Sequence, residues 1–124
     1  MQRLNALFVC SKNKWRSPTA ERVFQNDSRL AVRSCGLSKQ AVRRITHKDV
    51  DWADVIFVME AEHKSRLRQS FQDGISHTIV ECLDIPDDYQ FMDPELVELL
   101  TDRINECLSQ LRQDEDLDED IPNK

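Results

Sequence analysis

A short segment near the amino terminus combines the residue types that attack and hold a phosphate group: Cys10, five intervening residues, then Arg16, Ser17 and Pro18. The segment follows an apolar run at residues 4–9 and precedes a helical pattern, so we expect it to connect a strand to a helix. In such a connection, backbone N–H groups and the helix N-terminus together bind an oxyanion. The segment predicts a phosphate-binding catalytic loop.

Each residue type of this loop has a chemical reason. A cysteine is a nucleophile only as the thiolate, and inward-pointing amides at a helix N-terminus lower the pKa of a cysteine among them. Arg16 offers a planar fork of donors for two phosphate oxygens, and Ser17 can donate its hydroxyl to the thiolate. Asn13 tolerates a left-handed backbone, and Pro18 suits the first turn of a helix. We predict Cys10 and Arg16 as catalytic residues, and as the phosphate-binding set Ser11, Lys12, Asn13, Lys14, Trp15, Arg16 and Ser17.

Residues 10–21 resemble the active-site loop of the low-molecular-weight protein tyrosine phosphatases, whose pattern is C-x-G-N-x-x-R-S-P followed by a small residue, Ala and Glu. The similarity extends to residues 34–36, 44–46, 54–60 and 85–89. It implies an α/β fold of three layers, in which a four-stranded parallel sheet of order 2-1-3-4 has helices on both faces. The phosphate-binding loop of that fold follows strand 1.

The resemblance also implies a function. The chain would be a phosphoric monoester hydrolase, in particular a protein tyrosine phosphatase that forms a cysteinyl-phosphate intermediate on Cys10. Its partner would be a phosphorylated protein or a small aryl phosphate. We expect no cofactor and no metal site, because His47, His63 and His77 lie far apart in sequence and form no ligand pattern.

The same resemblance assigns a general acid. In the family, the aspartate of an Asp-Pro-Tyr motif has this role, and the corresponding residue of this sequence is Asp87. An ester oxygen that leaves from phosphorus needs a proton from an acid placed opposite the thiolate. Asp88 stands where the family has proline and stays open as the alternative acid, and Tyr89 is a possible substrate contact.

Three departures from the family pattern concern the substrate cleft. The region 36–41 is shorter than in the family, where it carries loops that line the cleft. Lys12 replaces a glycine, and Trp15 replaces a second cysteine that protects the nucleophile in many relatives. Together with Lys14 and Arg16, Lys12 makes the mouth of the site cationic. Further basic residues along the chain more often form a solvated surface than a site for a polyanion, so nucleic acid is not the expected partner.

Apolar runs and helical patterns alternate along the chain. Strands are predicted at residues 4–10, 30–34, 54–59 and 78–83, and helices from Pro18, at 46–52, at 62–71 and after Pro94. Such alternation implies a parallel sheet with right-handed crossovers and a ligand site at the carboxyl ends of the strands. Cys10 lies at one of these ends.

The length of 124 residues suits one domain, and 40% hydrophobic with 32% charged residues suits a globular protein. The net charge of -6 comes mainly from acids clustered after Gln113. We predict a phosphatase-like domain over residues 1–112 and an acidic, disordered tail over residues 113–124.

The cysteines, Cys10, Cys35, Cys82 and Cys107, include no C-x-x-C pair and no zinc-ligand spacing. No secretory signal and no long apolar run are evident, so we expect no membrane partner. Together these features predict a protein of the reducing cytoplasm. The sequence leaves the oligomeric state open.

Two other functions remain open at this point. The loop could hold a phosphorylated partner without turnover, in which case Cys10 would be an inert buried thiol. Thioredoxin-coupled arsenate reductases resemble the phosphatases around the loop, but they relay a disulfide through two further cysteines a few residues apart. Cys82 has no close cysteine partner in the sequence, which disfavours that class.

Overall fold

The structure, a computed structural model, describes residues 3–76 and 78–120, with side chains as far as residue 112. Strands and helices alternate over these residues, as the sequence predicts. The elements in chain order are β1 (Leu4–Cys10), α1 (Arg16–Phe24), β2 (Leu30–Gly36), α2 (His47–Trp52), β3 (Val55–Val58), α3 (Ala61–Ser70), β4 (Ile79–Cys82) and α4 (Pro94–Asp120).

The strands form one parallel sheet of order β2-β1-β3-β4, which confirms the predicted α/β topology. The register pairs Cys10 of β1 with Gly36 of β2, and Val9 of β1 with Val58 of β3. The carboxyl ends of these strands therefore meet at one edge of the sheet. The loop that follows β1 lies at that edge, between the ends of β2 and β3.

Two hydrophobic clusters cover the two faces of the sheet. Phe8 and Cys10 belong to the cluster that α1 and α4 complete, whereas Leu7 and Val9 belong to the cluster that α2 and α3 complete. This division follows from the alternation of side chains along a strand. The whole of β3 is buried because helices cover both faces, as expected of an inner parallel strand.

The first helix begins earlier than the sequence suggests. It was predicted from Pro18, but α1 starts at Arg16, because the Thr19 N–H already donates to the Trp15 carbonyl at 3.1 Å and closes the first turn. Residues 17–24 thus complete a helix whose N-terminus lies directly beside Cys10. The other predicted elements occur with boundaries shifted by no more than two residues, including β2, which continues beyond residue 34 to Gly36, except that α4 extends further at its C-terminal end.

The buried carboxylate of Asp49 holds in place the segment between β2 and α2. Thr46 and Asp49 form a capping box at the start of α2. Asp49 is 1% exposed and accepts a 2.5 Å hydrogen bond from Arg43 Nη2. Burial alone would raise the pKa of Asp49, but the hydrogen bonds from Arg43 and Thr46 outweigh it and hold that pKa below its ordinary value. Residues 43–46 are thereby held against the end of β2.

The last helix buries the predicted apolar stripe and extends beyond it. Leu96, Leu100, Ile104 and Leu108 are buried against the sheet. The helix α4 continues to Asp120 and so overlaps residues 113–120, the first part of the segment predicted as a disordered tail. The domain boundary at residue 112 stays a prediction, and residues 121–124 lie outside the described residues. Within the described chain, no helix combines the length and apolarity that crossing a membrane requires.

We expect a chain that ends at Gln113 to keep its melting temperature. Among the side chains that the structure describes, the last contacts of α4 with the core come from Leu108 and Leu111. Leu108→Ala is the matched control, because removing a buried leucine side chain costs about 2 kcal/mol or more. Thermal unfolding of the three proteins checks this expectation. If the truncation lowers the melting temperature as much as Leu108→Ala does, the removed segment packs against the domain.

Candidate active site

The loop after β1 surrounds a cleft of about 200 Å³ at the carboxyl edge of the sheet. The residues that line this cleft are Cys10, Ser11, Lys12, Lys14, Trp15, Arg16 and Asp87. Most of the residues predicted from the sequence are therefore brought together around one space. Asp88 and Tyr89 are not among the lining residues, and Asn13 and Ser17 lie buried within the loop.

The loop points its backbone carbonyls outward. Three consecutive carbonyls accept hydrogen bonds from N–H groups of the segment 37–42, which follows β2. Because the C=O and N–H of a trans peptide unit point in opposite directions, the N–H groups of residues 11–13 point away from that segment. A row of N–H groups in this arrangement binds an oxyanion. The bonded pairs are Leu37 N to Cys10 O at 3.1 Å, Ser38 N to Ser11 O at 2.8 Å and Val42 N to Lys12 O at 3.0 Å.

Asn13 holds the curled shape of the loop. Its φ of 52° lies in the left-handed region, which confirms the expectation for this residue. Its amide Nδ2 donates to Ser17 Oγ at 2.9 Å and to Ser34 Oγ at 3.0 Å. The Ser34 hydroxyl in turn donates to Glu21 of α1. The Asn13 side chain thus connects the loop to α1 and β2 through hydrogen bonds.

Cys10 lies at the base of the cleft and is only 3% exposed. Its Sγ is 2.9 Å from Ser17 Oγ. Ser17 Oγ accepts a hydrogen bond from Asn13, and its own proton can point to the sulfur or to the Cys35 carbonyl oxygen, which is 3.4 Å away. Trp15 makes no side-chain cap at the start of α1, so the free N–H groups of the first helical turn remain for a ligand beside the thiol. A hydroxyl group and the free N–H groups of a helix N-terminus therefore lie beside the sulfur.

Arg16 is buried at the opposite wall of the cleft, with 4% of its side chain exposed. Its Nη1 donates to Glu60 Oε2 at 2.6 Å and to the Ile85 carbonyl at 2.8 Å. Its Nε lies 3.6 Å from Asp87 Oδ1. Because a buried guanidinium is costly without partners, these contacts both offset its desolvation and fix its plane. Arg16 therefore joins the loop to the chain segments that follow β3 and β4.

Sequence reasoning missed Glu60, although a signal was present. This residue follows the fully buried strand β3 almost directly, and β3 is the neighbour of β1. A charged side chain at the carboxyl end of an inner strand lies at the edge where α/β proteins bind ligands. The partner of Arg16, however, becomes evident only once the sheet is assembled.

His63 positions Glu60. The Glu60 N–H donates to His63 Nδ1 at 3.2 Å within a capping box at the start of α3. Burial, and then the positive charge of Arg16, lower the pKa of His63, so the ring is neutral and can accept this bond. Of the other histidines, His47 packs edge-on against Phe71 with ring centroids 4.8 Å apart, and His77 lies outside the described residues.

The segment between β4 and α4 places Asp87 at the mouth of the cleft. The Asp87 carboxyl group is 62% exposed and faces Arg16. Two backbone hydrogen bonds of 2.9 Å hold the start of this segment on the end of β3, from Leu83 N and Ile85 N. Tyr89 is partly buried and packs against the cluster of α1 and α4, and its contact with a substrate stays a prediction.

Two further contacts fasten this segment at its ends. At its start, Asp84 has a left-handed φ of 53°, and Arg103 of α4 donates to the carbonyls of Leu83 and Asp84. Near its other end, the Met92 N–H donates to Thr19 Oγ1 of α1 at 2.9 Å. The position of Asp87 therefore depends on both helices that cover this face of the sheet.

The cysteine arrangement gives no support to a disulfide relay. All the cysteines are free thiols, and Cys35, although adjacent to the loop, belongs to the cluster on the other face of the sheet from Cys10. Burial raises the pKa of the Cys35 thiol, which makes it a poor nucleophile. Cys82 ends β4 with its Sγ 3.4 Å from Asp84 Oδ1.

Gly36 permits the close approach of β2 to the loop. A Cβ atom at this position would lie 2.6 Å from the Ser11 carbonyl oxygen, 2.9 Å from Asn13 N and 2.6 Å from Ala41 Cβ. Two of these atoms are backbone atoms and cannot move aside without displacing the loop. The close approach is steric in origin, since no positive φ is involved.

Gly36→Ala should therefore disturb the loop. A displacement of about 1 Å of groups that hold a reacting molecule can cost about 100-fold in rate, so we expect weak phosphate binding and a comparable loss of any loop-dependent activity. Gly74→Ala is the matched control, because the nearest atom to its added Cβ is the side-chain atom Val50 Cγ1 at 3.3 Å. Calorimetry with inorganic phosphate checks the prediction, and equal affinity in the two variants would contradict it.

The sequence matches no protein-family model and no curated protein, whereas solved structures share its fold. SP-PTP, the low molecular weight protein tyrosine phosphatase from Streptococcus pyogenes, has a TM-score of 0.72 at 20% identity, covering 87% of this chain and 93% of that one. Wzb from Vibrio vulnificus, in complex with benzylphosphonate, has a TM-score of 0.69 at 22% identity, covering 88% and 99%. The YwlE arginine phosphatase from Geobacillus stearothermophilus has a TM-score of 0.63 at 21% identity, covering 90% and 96%.

These comparisons define the class of fold. The chain has the fold of the low-molecular-weight protein tyrosine phosphatases, as the resemblance of residues 10–21 implied. A YwlE mutant among the similar structures has a phosphorylated active-site serine. The solved proteins with this fold thus include phosphatases of both tyrosine and arginine.

Proposed function

We propose that this protein is a phosphoric monoester hydrolase of the protein tyrosine phosphatase class. One observation supports the proposal above all others. Cys10 and Arg16 of the loop line a single cleft beside the N-terminus of α1, and Asp87, which is about 70 residues further along the sequence, lines the same cleft. A nucleophile, a two-point phosphate ligand and an acid are the groups that such a reaction requires. The phosphatases that share the fold add support.

In the first step, the Cys10 thiolate attacks phosphorus and forms an S–P bond while the P–O bond to the leaving group breaks. Asp87 gives its proton to the departing oxygen, so that an alcohol leaves. Arg16 and the loop N–H groups hold the remaining oxygens, on which negative charge is concentrated in the transition state. Glu60 keeps the guanidinium plane of Arg16 fixed before the substrate arrives.

In the second step, water replaces the alcohol. The Asp87 carboxylate accepts a proton from this water as its oxygen attacks phosphorus and the S–P bond breaks. Inorganic phosphate leaves, and Cys10 returns to the thiolate held by Ser17. The cycle needs a reduced Cys10, which a cytoplasmic location would supply.

We place phosphotyrosine, or a small aryl phosphate, ahead of phosphoarginine as the substrate. The lysines Lys12 and Lys14 line the cleft and repel the positive charge of a phosphorylated guanidinium group. Trp15 lies among the same lining residues and offers a flat surface to an aromatic ring. The Wzb complex with benzylphosphonate shows that a protein of this fold accepts an aromatic phosphate analogue.

The direct test is release of phosphate from p-nitrophenyl phosphate. We expect turnover by the wild type and a loss of at least about 10³-fold in Cys10→Ser, because the hydroxyl is a far weaker nucleophile. Cys82→Ser, which removes a thiol outside the cleft, should retain turnover. Absence of turnover in the wild type, with phosphate still bound, would favour a phosphoprotein-binding module instead.

The role of Asp87 as general acid can be tested through the dependence of the rate on the leaving group. Protonation matters most for a strongly basic leaving oxygen, where general acid catalysis contributes roughly 10²–10⁴-fold. Asp87→Asn should therefore be severely slowed on phenyl phosphate but much less on 2,4-dinitrophenyl phosphate. Asp88→Asn is the matched control and should follow the wild type on both esters, since Asp88 does not line the cleft. If Asp88→Asn alone becomes sensitive to the leaving group, the two roles are exchanged.

A further inference from the structure

We infer that the protein acts on phosphorylated segments in which acidic residues flank the phosphorylated one. This inference rests on the proposed phosphatase function and specifies its substrate. It comes from three cations around the mouth of the cleft. Lys12 and Lys14 line the cleft themselves, and Arg66 of α3 reaches its rim, with Nη1 3.5 Å from Ser11 Oγ.

These cations exceed what a phosphate monoester requires. The two negative charges of the phosphoryl group are already matched by Arg16, the loop N–H groups and the helix N-terminus. Lys12, Lys14 and Arg66 form no ion pair within the part of the chain whose side chains are described. Their charges are free to act on groups of the substrate beyond the phosphate.

The positions of the cations are constrained by the fold. The Lys14 ammonium lies 4.8 Å from the centroid of the Trp15 ring, a cation–π contact that keeps it at the rim. The Lys12 backbone is held by the hydrogen bond from Val42. Arg66 belongs to a helix whose first turn is tied to Glu60 through the capping box. The fold therefore holds the Lys14 ammonium, the Lys12 backbone and the helix that carries Arg66 near the cleft mouth.

Acidic groups at the mouth do not cancel this charge. Asp87 is the carboxylate among the lining residues, and Glu60 is bonded to Arg16. A peptide that presents its phosphorylated side chain to Cys10 would run across the mouth, past the lysines on the loop and Arg66 on α3. Acidic residues on either side of the phosphorylated residue would then meet these cations.

A peptide fits better than a nucleic acid. Outside the acidic segment after Gln113 the chain is nearly neutral, whereas nucleic-acid sites are normally found on strongly basic domains. Asp87 at the mouth would also repel the continuous charge of a polynucleotide backbone. A polypeptide can place its acidic residues beside the cations and leave uncharged residues beside Asp87.

The test compares two phosphotyrosine peptides that differ only in having glutamate or glutamine on both sides of the phosphorylated residue. We expect kcat/KM to be about 10-fold higher for the glutamate peptide at low ionic strength, because charges at a rim mainly accelerate association. The ratio should fall towards one at about 0.5 M salt as the charges are screened. A ratio of one at low salt in the wild type would overturn the inference.

Substitutions identify the cations responsible. In the triple variant K12Q/K14Q/R66Q the ratio for the two peptides should fall to about 2 or less, whatever its absolute rates. Arg22→Gln is the matched control, because it removes an exposed positive charge from the far end of α1 and should preserve the ratio. An equal fall in both variants would show a general charge effect and reject the assigned site. Faster hydrolysis of a 5′-phosphorylated oligonucleotide than of the glutamate peptide would also reject it.

Failure of the proposed function would give a different result. If no ester is hydrolysed, the phosphatase proposal fails, and the charge preference is tested by binding of the same two peptides to Cys10→Ser through fluorescence anisotropy. Tighter binding of the glutamate peptide would sustain the preference for acidic flanking residues as a property of the binding site alone, and equal binding would overturn that preference. If p-nitrophenyl phosphate is hydrolysed but the two peptides react equally, the phosphatase function stands and only the substrate assignment falls.

Discussion

The outward orientation of three loop carbonyls is the constraint on which the site depends. The carbonyls of Cys10, Ser11 and Lys12 are bonded by the segment 37–42, so the N–H groups of the same peptide units are left for a ligand. Asn13 supplies the left-handed turn, and Gly36 lets β2 approach the loop closely enough for these bonds to form. The proposed phosphate site is therefore made largely of backbone N–H groups, which most residue types can supply.

Arg16 connects this loop with the rest of the sheet edge. Its single Nη1 atom bonds both Glu60 after β3 and the Ile85 carbonyl after β4. Arg16, the helix α3 that begins beside Glu60 and the segment that bears Asp87 are therefore parts of one hydrogen-bonded network. This network fixes the orientation of the Arg16 guanidinium at the cleft, as the proposed electrostatic stabilisation of a transition state would require.

The positions at which this sequence departs from the phosphatase pattern lie at the mouth of the cleft, and the hydrogen bonds that hold the loop are kept. The shortened region after Gly36 still supplies the N–H donors that hold the loop. Lys12 and Trp15, which replace a glycine and a cysteine of the pattern, lie instead among the residues that line the cleft. The departures therefore bear on the entrance of the cleft, where the proposed substrate preference is set, and leave the hydrogen bonds that hold the loop in place.

The sequence by itself determined the features that adjacent residues encode. The loop between a strand and a helix, the left-handed Asn13, the capping box of Thr46 and the order of the strands all follow from local chemistry or from a recognisable pattern. Only the tertiary structure decided that Glu60 bonds Arg16, that Asp87 rather than Asp88 lines the cleft, and that Tyr89 packs inward. These contacts join residues far apart in sequence, so they depend on strand register and on the packing of helices against the sheet. The order of residues along the chain specifies neither the strand register nor the way the helices pack against the sheet.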